Sequence, residues 1–334
     1  MRLRFEDVVA QLEKTLLKYD CPSDKAKLIA SLMAENSLEG TYTHGINRFP
    51  WLIKSIQLGL ANPKSKIEQV AAFGGLESYD GKSGIGIPNA VFCIDRAIAL
   101  ATQYGIGCVA LRNTNHWMRA ATYGYRACRA GMAAICFTNT LPNMPTWGAV
   151  DRRLGNNPLV FAFPREKGDL VCDMAMSQFS YGALELAVLN GKQMPIDAGF
   201  DTAGNLTRDP GEVIKSQRIL PTGYWKGAAL AHLLDIFTAA TSLGNSTAAI
   251  SEFGNNIDQR VSQMFIVINY RAIAPQSLSE EIIEKSVEYL LDSEKANENS
   301  SIIFTGQIAI DTRNENLKNG IPVNEGIWEE VLSL

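Results

Sequence analysis

Helical periodicity at both ends of the chain, on either side of a mixed middle, is the feature that most restricts the fold. Apolar residues recur at helical spacing over residues 4–18, and a second helix is predicted from an N-cap at Ser23 to about Leu38. A third helix is predicted over residues 50–60. The helical period returns after Leu278 and again at the end of the sequence. This order predicts that both ends of the chain contribute to one helical layer.

The middle of the chain alternates short strand-like runs with helix-like runs, which is typical of an α/β fold. We therefore predict a discontinuous helical domain of residues 1–74 and 278–334, and a sheet-containing domain of residues 75–277. Residues 191–225 are rich in glycine and proline and are predicted to form a long irregular excursion. The predicted strands are residues 107–111, 133–138, 159–163, 170–173 and 264–268, and the predicted intervening helices are residues 88–103, 119–130, 177–190 and 226–243.

The charge balance and the cysteine spacing exclude several classes of protein. The 334 residues include 31 basic and 35 acidic side chains, so the basic surplus that nucleic-acid binding usually requires is missing. No apolar run approaches the ~18 residues of a membrane helix, and Glu6 and Asp7 interrupt any signal-peptide core. The six cysteines form no C-x-x-C pair. These observations predict a cytoplasmic enzyme without a nucleic-acid or membrane partner.

Histidine is scarce, and the first of the three histidines stands in a chemically suggestive segment. His44 follows Thr43 and precedes Arg48 by four residues. Arginine holds a carboxylate through two hydrogen bonds, and histidine titrates near neutral pH. The pair would suit reduction of a 2-oxo acid, with Arg48 holding the carboxylate and His44 protonating the carbonyl oxygen. A helix-capping histidine beside a surface arginine is the alternative, and Pro50 leaves open whether the segment is helical.

His116 comes directly after a predicted strand, where α/β folds place their ligands. It is flanked by asparagine and tryptophan, which offer polar groups and a stacking face. An asparagine-rich turn with a structural role is equally compatible with this pattern. His232, in the middle of a predicted helix, is interpreted as structural.

Several common site motifs are absent or incomplete. No H-E-x-x-H, G-x-S-x-G or P-loop pattern occurs, so neither a metal centre nor a serine nucleophile is predicted. The glycine-rich segment at 81–86 precedes a helix, but Asn89 stands where a dinucleotide fingerprint would have its third glycine. Two other segments could bind anions at a helix start: the stretch from Asp173 to Ser177, and Lys226 after Trp225. A structural helix cap formed by Asp173 and Ser177 explains the first of these two segments equally well.

Six segments together resemble one family. They are Thr-His-Gly-Ile-Asn-Arg-Phe-Pro, Asn-Thr-Asn-His-Trp-Met-Arg, Pro-Thr-Trp-Gly, Gly-Asn-Asn-Pro, Asp-Met-Ala-Met-Ser-Gln-Phe-Ser-Tyr-Gly and Leu-Pro-Thr-Gly-Tyr-Trp-Lys-Gly. In this order they resemble the malate/L-lactate dehydrogenase family that lacks a Rossmann fold. The resemblance implies a mixed or antiparallel sheet of about seven strands and a helical domain from both chain ends. It also implies a homodimer that uses NADH, or else NADPH, and no metal to reduce a diketo sugar acid.

The same resemblance implies the residues of the site. His44 matches the family's proton donor, with Thr43 beside it, and Arg48 and His116 match positions that line the substrate pocket. The implied cofactor-binding residues are Asp169, Leu170, Val171, Cys172, Asp173, Met174, Ala175, Trp225, Lys226, Gly306, Gln307 and Ile308.

Departures from the family pattern bear mainly on the cofactor. Ile308 stands where relatives often have an acidic residue, and Asn156 replaces a common threonine. Because Ile308 cannot accept a hydrogen bond from a ribose hydroxyl, the choice between NADH and NADPH is left open. Two other functions also remain open: a malate, lactate or ureidoglycolate type of 2-hydroxy-acid dehydrogenase, and a non-catalytic or metal-dependent protein that binds sugar acids.

Overall fold

The computed structural model describes residues 1–254 and 257–334, in which helices surround a central sheet. The helices are α1 (Phe5–Lys18), α2 (Ser23–Leu38), α3 (Phe49–Gln57), α4 (Gly86–Tyr104), α5 (Ala121–Arg129), α6 (Tyr181–Leu189), α7 (Pro210–Ser216), α8 (Trp225–Ser242), α9 (Thr247–Ser251), α10 (Gln276–Leu291), α11 (Gln307–Asn319) and α12 (Glu325–Ser333). The strands are β1 (Arg2–Leu3), β2 (Glu68–Phe73), β3 (Leu76–Gly84), β4 (Ile106–Thr114), β5 (Ala133–Thr138), β6 (Met144–Pro145), β7 (Arg152–Leu154), β8 (Leu159–Phe163), β9 (Leu170–Met174), β10 (Gly199–Phe200), β11 (Leu206–Thr207), β12 (Val261–Ile268) and β13 (Ile321–Pro322).

The main sheet has seven strands in the order β2-β3-β4-β12-β5-β8-β9. Only β3 and β4 run parallel, and each of the other neighbouring pairs is antiparallel. The central strand β12 is buried along most of its length, which explains the apolar run from Met264 to Ile268. The predicted fold class, a non-Rossmann α/β fold with a mixed sheet of about seven strands, is therefore confirmed.

Two hydrophobic cores lie against this sheet. The larger core joins α1 to α5 and α12 to the strands, with α4 packed on β4 and β12 and α5 packed on β5 and β8. The smaller core places α8 over β4, β5 and β12, together with α6 and α7.

None of the described helices is both long and apolar enough to span a membrane.

Segments from the two ends of the chain meet on one side of the molecule. Strand β1 pairs with β13, where Leu3 lies opposite Ile321. The buried side chain of Asn316 on α11 donates a hydrogen bond of 2.9 Å to the carbonyl oxygen of Leu38, at the end of α2. These contacts explain why helical patterns occur at both ends of the sequence. The division into domains at residues 74 and 278 stays a prediction.

The predicted elements differ from the observed ones in several places, and the helices α9 and α11 were not predicted. Pro22 is the N-cap of α2, and Ser23 is its first helical residue, so the predicted cap at Ser23 is wrong. Strands β2 and β3 were not predicted, because their sequences are largely polar or lie at the sheet edge. The excursion at 191–225 is not wholly irregular, since it contains α7 and a short hairpin of β10 and β11.

Candidate active site

His44 and Arg48 lie in two successive short 3₁₀ turns, Tyr42–His44 and Ile46–Arg48, which lead directly into α3. Pro50 occupies the first turn of α3, where its missing N–H has no helical partner to lose. The segment is therefore not one continuous α-helix.

The end of α2 fixes these turns. Asn36 donates a hydrogen bond of 2.9 Å from Nδ2 to the carbonyl oxygen of His44, and its Oδ1 accepts one from the Thr122 hydroxyl. The Ser37 hydroxyl accepts a hydrogen bond of 2.8 Å from the Ile46 amide. The backbone that carries His44 is therefore anchored to both α2 and α5.

The structure brings the three predicted substrate residues into one pocket. The rings of His44 and His116 are stacked, with centroids 5.6 Å apart and planes inclined by 19°. Trp51 on α3 contacts the His116 ring edge-on at 6.0 Å, and the Arg48 guanidinium lies 4.5 Å above the Trp51 ring. The stacking on Trp51 restricts the guanidinium to a plane while leaving its edges available for a carboxylate. The fourth predicted residue, Thr43, lies beside His44.

Hydrogen bonds define how the two imidazoles can act. The Thr43 hydroxyl lies 3.0 Å from Nδ1 of His44. The Met118 amide donates a hydrogen bond of 3.0 Å to Nδ1 of His116, so the neutral ring of His116 carries its hydrogen on Nε2. Nε2 of His116 is thus a hydrogen-bond donor at neutral pH.

The glycine-rich segment at 81–86 lies against the backbone of the His116 loop. Asn115 donates from its side-chain amide to the carbonyl oxygens of Leu60, Ser83 and Gly84 at 2.9 to 3.0 Å. A Cβ at Gly86 would lie 2.2 Å from the carbonyl oxygen of His116, so only glycine allows this approach. The segment at 81–86 therefore has a structural role: it holds the backbone of the His116 loop.

Burial and positive charge lower the pKa of both histidines. Desolvation, together with Arg48 and Arg119, lowers the pKa of His44 to about 4. Burial, His44 and Arg48 hold the pKa of His116 well below its usual range. Both effects act against protonation of the two rings.

The carboxyl group of Asp258 lines the same pocket and interacts with Arg48. Burial raises the pKa of Asp258 to about 6, although a hydrogen bond from the Leu141 amide and the charge of Arg48 act in the opposite direction. Burial in turn lowers the pKa of Arg48, while Asp258 and Glu185 raise it. Arg48 therefore stays charged and can hold an anionic group.

The three segments implied to bind the cofactor form one continuous surface along the edge strand β9. The Val171 amide donates a hydrogen bond of 3.2 Å to the Thr305 carbonyl, next to Gly306. At the other end of β9, the Thr222 amide donates to the Met176 carbonyl at 2.8 Å and brings the start of α8 alongside. This surface carries the implied residues Leu170, Val171, Cys172, Asp173 and Met174 on β9, with Asp169 and Ala175 directly before and after it, Trp225 and Lys226 on α8, and Gly306, Gln307 and Ile308 at the start of α11.

This surface suits a dinucleotide. Gly306 has a φ of 105°, and a Cβ there would lie 2.7 Å from the Asp169 carbonyl, so the backbone of the two segments can approach closely. The α8 N-terminus, with Lys226 exposed beside it, favours a pyrophosphate. Asp173 accepts a hydrogen bond of 2.8 Å from the Ala121 amide, which connects this surface to the His116 loop.

Three residues of the pocket were not predicted as site residues: Trp51, Arg119 and Asp258. Arg119 follows His116 by three residues, and this proximity was the only available sequence signal. Asp258 lies in a polar stretch far along the chain, and only the tertiary fold brings it to the pocket. Over the described residues, no cluster of three or more His, Cys, Asp or Glu side chains is arranged to bind a metal ion.

An imidazole pair beside an arginine, next to a surface that could hold a dinucleotide on a non-Rossmann sheet, is the arrangement expected of an oxidoreductase that acts on 2-oxo acids. The sequence profile described as malate/L-lactate dehydrogenase matches residues 3–332. The chain belongs to the malate/L-lactate dehydrogenase family, which confirms the resemblance seen in its motifs. Membership of this family implies a nicotinamide cofactor.

Individual relatives agree with this assignment. The chain is 39% identical over 334 residues to a 2,3-diketo-L-gulonate reductase of Escherichia coli O127:H6, and the match covers 100% of both chains. A malate dehydrogenase from Pyrococcus horikoshii OT3 superposes with a TM-score of 0.90 at 27% identity, over 99% of this chain and 93% of that one. A sulfolactate dehydrogenase from Methanocaldococcus jannaschii gives 0.89 at 27% identity, over 99% and 95%.

The close approach at Gly86 generates a prediction about His116. Gly86→Ala should push the His116 loop out of place and lower kcat by about 100-fold, because a shift of about 1 Å in a catalytic group has effects of that size. Gly326→Ala, in the first turn of α12 where the new methyl meets no close atom, is the control. Circular dichroism and steady-state kinetics on both variants provide the comparison. Unchanged kcat in a folded Gly86→Ala variant would contradict the supporting role of this glycine.

Proposed function

We propose that the protein reduces 2,3-diketo-L-gulonate to 3-dehydro-L-gulonate with NADH. The observation that carries this proposal is the stacked pair of His44 and His116 beside Arg48, which offers a proton donor and a carboxylate clamp in one pocket. The relative named for this reaction, which matches over its full length, supports the choice of substrate. The comparisons do not favour the malate or lactate type of activity, nor a non-catalytic binder.

Each residue of the pocket has a separate task in this reaction. Arg48 holds the substrate carboxylate through two hydrogen bonds while its guanidinium rests on Trp51. His44, in its protonated form, gives a proton to the oxygen of the ketone that is reduced and becomes the neutral imidazole, and the Thr43 hydroxyl holds the ring from its Nδ1 side. His116 donates a hydrogen bond from Nε2 to a substrate oxygen. The bound nicotinamide supplies the hydride.

The cofactor is proposed to lie along β9. Residues 169–175 would contact it from the sheet edge, Trp225 and Lys226 from the start of α8, and Gly306 and Gln307 from the start of α11. Ile308 is exposed and has no hydrogen-bond acceptor on its side chain, so discrimination against NADPH is proposed to be weak, with NADH still preferred.

We also propose that two copies of the chain form a homodimer with an isologous interface. Helix α8 buries one face on the sheet, yet its opposite face is apolar and exposed through Leu230, Leu233, Ile236 and Phe237. A helix that is apolar on all sides is usually buried on all sides. A second copy of the chain would cover this face, and the excursion at 191–225 is proposed to contribute to the same contact.

The cysteines support a reducing compartment. All six are free thiols, and most are buried. We propose a cytoplasmic location on this basis, because disulfides are rare there.

Removal of the proton donor tests the proposed chemistry. His44→Ala should lower kcat by about 10²–10⁴-fold, the usual contribution of general acid catalysis, while NADH binding persists. The absorbance of NADH at 340 nm measures turnover with 2,3-diketo-L-gulonate, and quenching of tryptophan fluorescence measures cofactor binding. His232→Ala, which changes an exposed histidine on α8, should keep wild-type turnover. Turnover near the wild-type rate in His44→Ala would rule out His44 as the acid.

A conservative change tests the carboxylate clamp. Arg48→Lys should raise KM for the keto acid by about tenfold or more, because lysine cannot form the two parallel hydrogen bonds of a guanidinium. The Kd of NADH should change little. Arg4→Lys, which alters an arginine on the exposed surface, is the matched control. If KM were the same in Arg48→Lys and the wild type, another cation would hold the substrate carboxylate.

A charged residue on the exposed face of α8 tests the dimer. The Leu233→Glu variant should be a monomer of 36.5 kDa, whereas the wild type should be a dimer, because the new charge would be buried against the partner. Leu58→Glu changes a leucine of similar exposure, 55% against 58%, at the end of α3 and should leave the dimer intact. Sedimentation velocity at micromolar concentration measures both. A monomeric wild type would refute the proposal.

A further inference from the structure

A small cavity lies beside His116 and shares a wall with the proposed substrate pocket. His116, Asn115, Trp51 and Asp258 line it, and most of its other walls are apolar. The space between these groups is about the size of one water molecule. Trp51 contacts the His116 ring and also lies under the Arg48 guanidinium. The cavity is therefore next to both the imidazole pair and the proposed carboxylate clamp.

Asp258 is the only acidic side chain among the described residues that lines this cavity. Its Oδ1 accepts a hydrogen bond of 2.7 Å from the Leu141 amide. Within residues 1–254 and 257–334, no side chain forms an ion pair with it, so Arg48 acts on it from beyond the distance of a direct pair. Each carboxylate oxygen can accept two hydrogen bonds. Asp258 therefore keeps acceptor capacity for a ligand.

The charge of Asp258 restricts which ligand group can lie beside it. Burial raises the pKa of Asp258 to about 6, which leaves the group mostly ionised at pH 7. A hydroxyl group is about as large as a water molecule and can donate a hydrogen bond to a carboxylate. A second carboxylate is larger, and its charge would be repelled. The cavity therefore suits a hydroxyl group and disfavours an anionic one.

Glu185 on α6 is the other acidic side chain that acts on Arg48. The start of α6 lies near the site, since a Cβ at Gly182 would lie 3.1 Å from the methyl group of Thr43. Glu185 itself is exposed to solvent and does not line the cavity. Water and salt screen an exposed charge much more than a buried one. Asp258 is thus the better placed of the two to discriminate between ligands.

We propose that Asp258 determines the substrate specificity of this site by accepting a hydrogen bond from a hydroxyl group beyond the ketone and by repelling a second carboxylate at that position. The substrate carboxylate lies on Arg48 and the ketone oxygen on the imidazoles, which leaves the carbon atoms beyond the ketone to reach the cavity. The site then selects hydroxylated acids, such as sugar acids, over dicarboxylic acids. This inference rests on the proposed function, because it states what the substrate of that reaction must carry.

Three ligands that differ in one group provide the test. L-lactate, L-gulonate and L-malate are 2-hydroxy acids that carry a methyl group, a chain of hydroxyl groups and a second carboxylate, respectively, beyond the 2-hydroxyl carbon. Each is titrated into the enzyme saturated with NADH, in which no hydride transfer to a 2-hydroxy acid takes place, and NADH fluorescence gives the Kd. In the wild type, L-gulonate should bind about tenfold more tightly than L-lactate, and L-malate about tenfold more weakly.

Asp258→Asn removes the charge and keeps both the shape of the side chain and an acceptor for the Leu141 amide. The Kd of L-gulonate should rise about tenfold, the Kd of L-malate should fall about tenfold, and that of L-lactate should stay unchanged. If Asp258 acted only through Arg48, the three Kd values would change by one common factor, because each ligand places a carboxylate there. A common factor, or an unchanged Kd for either L-gulonate or L-malate, would overturn the proposal.

Glu185→Gln is the matched control, because it removes the other carboxylate that acts on Arg48. It should change the three Kd values by one common factor. Opposite changes for L-gulonate and L-malate in this variant would place the discrimination on α6 and overturn the proposal. Circular dichroism checks the folding of both variants.

The wild type alone provides a test that needs no variant. Binding of L-malate as tight as that of L-lactate would overturn the proposal. None of these titrations requires turnover. Failure to reduce 2,3-diketo-L-gulonate would therefore refute the proposed function, whereas the pattern of Kd values decides the role of Asp258.

Discussion

The buried amide of Asn36 joins the parts of the molecule on which the pocket depends. Its donor group binds the carbonyl of His44, and its acceptor binds the hydroxyl of Thr122 on α5. Because the side chain is almost inaccessible to water, an unmade bond here would cost about 1–3 kcal/mol. One side chain thus fixes the backbone of His44, the proposed proton donor, relative to the helix that follows the His116 loop.

The cofactor surface depends on the same arrangement. Asp173, on the edge strand β9, caps the start of α5 through the Ala121 amide. Two adjacent residues of α5 make these contacts. Thr122 bonds to Asn36 on the substrate side, and Ala121 bonds to Asp173 on the cofactor side. The proposed acid and the proposed cofactor surface are both held to one helix, which would keep the distance between a proton donor and a hydride donor constant.

The sequence predicts the interior of the fold better than its edges. Strands β5 and β8 were predicted with the observed bounds, because both faces of the inner sheet are covered and the strands are continuously apolar. Strands β2 and β3 carry charged and polar residues that a pattern of hydrophobicity does not detect. The pocket shows the same contrast: the scarcity of histidine indicated His44 and His116, whereas Asp258 joins them only through long-range packing. Most of the cofactor residues were indicated by family resemblance alone, whereas the stretch from Asp173 to Ser177, and Lys226, were also indicated as possible anion sites at helix starts.

The ion pairs of Glu39 have a consequence for the order in which the protein matures. Residue 39 is synthesised early, yet its partner Arg313 and the strand that pairs with β1 emerge from the ribosome only after most of the chain. Contacts of such wide sequence separation form late, since a long loop must close before they are gained. Glu39, the ion-pair partner of Arg119, therefore reaches its full set of partners only when translation is nearly finished. A nascent chain already carries all of the pocket's short-range sequence motifs but lacks the ion pair between Glu39 and α11.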